Sequence, residues 1–146
     1  MEDWLLFGLL AAVSYSLAAL AAKLSLAGES GLQVTQAGLL TGFGVFLAFV
    51  VFTMYSGLPS FSKASPKTIA FGLGVGLLWA VGQILVYVAL MKGADISRMA
   101  PIYNLNTLFV VVFGIFLLGE LPDRAQALRV GLGAILITAG AVLVSV

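Results

Sequence analysis

Residues 94–146 read ADISRMAPIYNLNTLFVVVFGIFLLGELPDRAQALRVGLGAILITAGAVLVSV. Two apolar runs, 99–118 and 125–146, flank a short polar turn, Gly119-Glu120-Leu121-Pro122-Asp123-Arg124. Each run reaches roughly 20 residues, the length that crosses a hydrocarbon core of about 30 Å at 1.5 Å per residue. The turn is too short for a domain linker. The two runs therefore read as a helical hairpin folded back through a bilayer, and the rest of the chain repeats that plan.

Composition points the same way. Hydrophobic residues make up 62% of the 146, and charged residues only 9%. Soluble domains carry about 25% charged residues, so lipid must be the solvent for much of this surface. The net charge of +1 argues against a nucleic-acid partner. With no Cys and no His, disulfides, thiol chemistry, most zinc or haem sites and the usual neutral-pH proton carrier fall away. No metal site, cofactor or catalytic group is expected. The start, Met1-Glu2-Asp3-Trp4, lacks the basic region of a signal peptide, so the first apolar run is expected to remain in the mature protein.

The chain is expected to be an all-α integral membrane protein, one domain over 1–146, with five helices at about 4–26, 36–55, 67–91, 96–118 and 124–146. Without water in the hydrocarbon, spanning segments must be helices or barrel strands. These runs are too long for barrel strands and do not alternate. Trp4 suits the interface, and Gly28-Glu29-Ser30-Gly31 ends the first helix. In the second, Gly38 and Gly42 form a small-residue stripe that permits close helix approach. Ser65 can cap the third helix with Pro66 at its first position. Gly93 ends that helix, and Asp95 or Ser97 can cap the fourth, which Pro101 should kink. Asp123 with Gln126 fits a capping box for the fifth.

Lys and Arg divide almost evenly between the two sides. Lys63, Lys67, Arg124 and Arg129 lie on the N-terminal side, and Lys23, Lys92 and Arg98 opposite. Orientation follows an excess of these residues on the cytoplasmic side. Near balance leaves both a single orientation and dual insertion open.

Polar groups within a span are costly and so mark function by default. Trp79, Gln83 and Tyr87 fall at i, i+4 and i+8 on one face of the third helix, with Gly72 and Gly76 extending the stripe. Helix packing is the competing explanation, since interhelical polar bonds of about 0.6–2 kcal/mol are common. The fourth helix carries Tyr103, Asn104, Asn106 and Thr107 in its first third. Tyr103, Asn106 and Thr107 share one side, and Asn104 lies about 100° away, toward Pro101. Tyr15 lies at mid-depth in the first helix. Lys23 ends that helix, at the mouth of any shared cavity, although a Lys there can equally snorkel to water. Ser14 and Ser16 are expected to bond their own helix. Glu120 reads as structural, pairing with Arg124 or bonding the start of the last helix. No Asp or Glu lies inside any expected span.

Ala100-Pro101, the long apolar helix, Leu118-Gly119-Glu120 before a polar turn, then Gln126, Gly131, Gly133 and Gly140 resemble the end of an EamA-type domain of the drug/metabolite transporter superfamily. Lys23 and the five-helix length fit as well. The resemblance implies half of an inverted-repeat transporter, with helices one, three and four lining a central cavity, and a homodimer, often antiparallel among short relatives. It implies export of small metabolites such as amino acids across a prokaryotic inner membrane. The carboxylate that small multidrug resistance proteins carry in helix one is missing here, which counts against proton-coupled export of cationic drugs. A neutral, zwitterionic or aromatic solute fits better. Two other functions stay open: a lipid-carrier flippase or its subunit, and a non-transporting half that needs a partner chain.

Overall fold

The structure is a computed structural model that describes residues 3–120 and 123–145. The described residues form helices only: α1 (Asp3–Ser25), α2 (Val34–Ser56), α3 (Pro66–Met91), α4 (Ile96–Tyr103), α5 (Asn106–Leu118) and α6 (Arg124–Ser145). Trp4–Ser25, Val34–Ser56, Pro66–Met91 and Ile96–Leu118 are each long and apolar enough to cross a membrane, and Leu128–Val144 is a shorter apolar helix. The chain is thus a five-span, all-helical membrane protein whose fourth span is built from α4 and α5 together.

Large apolar side chains face outward, with Leu39 77%, Leu78 76% and Phe116 80% exposed. Among the described residues only Ala22, Ala37, Tyr87, Leu90 and Ala141 are buried. In water such exposure would be prohibitive, whereas in a bilayer lipid tails cover it.

The chain divides into two compact units, Met1–Gly93 and Ala94–Val146. In the first, α2 packs on α3. Thr41, early in α2, meets Tyr87, late in α3, so the two helices run antiparallel. Local signals set the ends. Gln36 Oε1 accepts from the Gln33 N–H at 2.9 Å, so α2 starts two residues earlier than the sequence suggested. The Ser65 hydroxyl accepts from the Thr68 N–H at 3.1 Å, with Pro66 at the first turn of α3, as expected. Gly93 takes φ +89° just after α3. Between α1 and α2 the chain folds tightly: a Cβ on Gly31 would lie 2.5 Å from the Leu26 carbonyl oxygen, so only glycine fits.

In the second unit α6 packs against both α4 and α5. Asp95 stands at the N-cap of α4 but makes no side-chain cap bond. Gly119 ends α5 in the left-handed region at φ +69°, and the Gly119 and Glu120 N–H groups both turn back to the Gly114 carbonyl, the latter at 3.0 Å. The Asp123 carboxylate accepts the Gln126 N–H at 2.8 Å, capping α6. Arg98 Nε donates to the Val144 carbonyl at 3.2 Å, satisfying a carbonyl in the last turn of α6. The Arg124 side chain, the expected partner of Glu120, and the turn residues Leu121 and Pro122 lie outside the described residues.

The fourth span differs from the single kinked helix expected. Pro101 is accommodated inside α4, and the break falls later, at Asn104 and Leu105. There the bonding tightens. Leu105 N–H turns to the Ile102 carbonyl (3.1 Å), Thr107 N–H to Asn104 (3.1 Å) and Leu108 N–H to Leu105 (3.0 Å). These are i→i−3 bonds of 3₁₀ type. Asn104, Asn106 and Thr107 are weak helix formers whose side chains compete for nearby backbone, which is why the helix yields there and not at the proline.

Candidate functional site

In the first unit Trp79, Gln83 and Tyr87 share a face of α3, as their spacing requires. They differ in what they offer. Tyr87 is only 4% exposed, and its hydroxyl is hydrogen-bonded to that of Thr41 on α2. It anchors the α2–α3 pair. Gln83, one turn away, is half-buried, and Trp79 is 43% exposed. The stripe thus passes from a packed hydroxyl pair to an amide at the edge and an indole presented outward.

Thr41 escaped the sequence reading. Its signal was present: a hydroxyl within a span, one turn beyond the small, buried Ala37, must find a partner in lipid. The glycine stripes show the reverse. A Cβ added at Gly38, Gly42, Gly72 or Gly76 would meet nothing within 4 Å, so these glycines are not used for close packing within the chain. Tyr15 is 67% exposed on α1, and Lys23 is half-buried near its end. Ser14 and Ser16 bond the Leu10 and Ala12 carbonyls, each at 2.9 Å, as expected.

The second unit holds Tyr103, Asn104, Asn106 and Thr107, which the broken span distributes differently from a continuous helix. Tyr103 closes α4 and is half-buried. Asn104 sits in the break, and Asn106 and Thr107 open α5; all three are exposed. The Thr107 hydroxyl donates to Asn106 Oδ1 at 3.4 Å. Because Leu105 and Thr107 turn to i−3 partners, the Pro101 and Tyr103 carbonyls are released from the N–H groups four residues on. The break thus concentrates amides, a hydroxyl and backbone carbonyls roughly a third of the way along the span.

Two open grooves also lie in this unit. One, of about 440 Å³, has Val110, Gly114, Ile115, Glu120, Gln126 and Val130 in its walls. There the Glu120 carboxylate folds back over Gly114, with Oε2 2.9 Å from where a Cβ would stand. The other, of about 580 Å³, is almost wholly apolar and is lined by Leu108, Ala134, Ile135 and Leu143 among others. Neither groove is lined by the four residues at the break. No cluster of metal-ligating side chains occurs among the described residues.

Comparison with known proteins agrees with this architecture. The model of the EamA-like transporter family matches residues 3–146, across both units. A probable glucose uptake protein of Staphylococcus aureus (strain MRSA252) is 32% identical over 84 residues, 56% of this chain. The match covers only 28% of that relative's length. An uncharacterized transporter of Sinorhizobium sp, from the cobO 3' region, is 30% identical over 149 residues, covering 99% of this chain and 98% of that protein. No solved structure matches. On the family match and the helical architecture together, the chain belongs to the EamA-like transporter family of the drug/metabolite transporter superfamily.

Proposed function

We propose that the chain is the five-span unit of a small-solute transporter of a prokaryotic inner membrane, and that two copies, in opposite orientations, enclose the solute path. The observation that carries this is the interruption of the fourth span at Asn104 and Leu105. Transporters place substrate near the middle of the bilayer at discontinuous helices, where unwound backbone lines a cavity. Here the break offers amide donors and acceptors from Asn104 and Asn106, the Thr107 hydroxyl and the Pro101 and Tyr103 carbonyls. In the first unit, taken by itself, Trp79 offers an indole and Gln83 an amide beside Tyr87, which α2 holds through Thr41, and Tyr15 and Lys23 on α1 are further candidates.

The polar set carries no fixed carboxylate, which favours a neutral or zwitterionic solute, such as a sugar or an amino acid. A relative named for glucose uptake makes glucose the first solute to test. A relative matched almost end to end by this single unit supports assembly from two copies.

The test is solute counterflow in proteoliposomes with labelled glucose and a panel of neutral amino acids. Asn104→Leu and Gln83→Leu should each reduce flux at least about tenfold, the effect of losing one hydrogen bond in a transition state, with helix content unchanged by circular dichroism. Undiminished flux in both variants would remove the site assignment. The apolar groove at Leu108, Ala134 and Leu143 favours a second function, movement of a lipid carrier. Scrambling of labelled lipid without solute flux would establish it instead.

A further inference from the structure

Among the described residues, the loop between α2 and α3 exposes the largest apolar side chains outside a helix. It joins two spans, so it lies at one membrane surface. Leu58 is 91% exposed and Phe61 66%, and the turn that presents Phe61 is closed by the Ala64 N–H on the Phe61 carbonyl at 3.0 Å. Two lysines follow. Lys63 is exposed, and Lys67 stands in the first turn of α3, its ammonium 5.8 Å from the Phe71 ring centroid. No Asp or Glu occurs between Glu29 and Asp95, so neither α2, nor the loop, nor α3 carries a carboxylate beside the two lysines.

From this patch we infer that the α2–α3 loop is a docking site for anionic phospholipid headgroups, with Leu58 and Phe61 inserted at the acyl boundary and Lys63 and Lys67 on the phosphodiester. Amphipathic surface segments bind lipid through this pairing of apolar insertion and cationic contact. The α3 N-terminus is not the anion acceptor, because the Ser65 hydroxyl already occupies the Thr68 N–H. The two ammonium groups carry the attraction. Each lysine near an anionic surface is worth about a fivefold gain in affinity at low salt, and that gain shrinks as salt rises. Zwitterionic phosphatidylcholine gains from the apolar pair alone.

Native mass spectrometry of the full chain, titrated with phosphatidylglycerol and separately with phosphatidylcholine, tests this. The wild-type chain should retain phosphatidylglycerol at least about fivefold more tightly. Lys63→Gln with Lys67→Gln should erase the preference without weakening phosphatidylcholine binding, and Lys63→Arg with Lys67→Arg should keep it. Equal affinity for the two lipids, or a preference that survives the glutamine pair, would overturn the assignment. The chain has no Cys, so Phe61→Cys carries a single fluorophore. A lipid quencher placed just below the headgroup should quench it, and an unquenched signal would overturn the insertion of Phe61.

Discussion

Thr41 and Tyr87 stand 46 residues apart and form a side-chain bond that joins α2 to α3. In lipid an unpaired hydroxyl has no water to turn to, so the pair is favoured although each such bond contributes only about 0.6–2 kcal/mol. Tyr87→Phe and Thr41→Val should each destabilise the folded chain by that amount. The double variant should cost little more than either single, because the same bond is lost once. Reversible unfolding in bicelles, run as a double-mutant cycle, measures the coupling directly; strict additivity would mean that the hydroxyls act independently. The capping residues were legible at this scale. Ser65 and Asp123 bond N–H groups three residues on, a geometry the local backbone fixes. Ser14 and Ser16 were legible for the same reason. Thr41 was not, since nothing local names its partner.

At the scale of the element, the fourth span is decided by composition more than by proline. Pro101 removes one N–H from the ladder but already has the φ of a helix, and α4 runs past it. Asn104, Asn106 and Thr107 hold a helix less firmly, since side chains of their kind compete for its backbone bonds. Asn104→Ala with Asn106→Ala should therefore heal the break. Hydrogen exchange should report amides 105–108 opening more readily than mid-α5 in the wild type, and slowing by roughly tenfold in the alanine pair, the shift that about 1.4 kcal/mol of added helix stability produces. Unaltered exchange would place the cause in packing against α6. If the break serves the solute, flux should fall as exchange slows.

At the scale of the whole molecule, the near balance of Lys and Arg across the two sides bears on assembly. Without a charge excess to choose an orientation, copies should insert both ways up, and two opposed copies give the inverted arrangement that alternating access uses. Ser30→Cys and Ser60→Cys sit on loops at opposite ends of the spans in a chain with no other thiol. Each should label from both faces of sealed vesicles. Labelling of each from a single face would fix one orientation and reject the opposed pair.

The sequence by itself determined the number of spans, most of their ends and the family, because span length, capping and turn glycines are local properties that lipid enforces along the chain. It also placed the polar cluster at 103–107, though not the step from one helix to two. Only the tertiary structure decided that Tyr87 spends its hydroxyl on Thr41, that Arg98 closes the end of α6, and that the α2 and α3 glycines stay open. The physical reason is that spans apolar around their whole circumference carry no stripe to say which face turns inward. Helix rotation and register are then set by contacts between residues far apart in the chain.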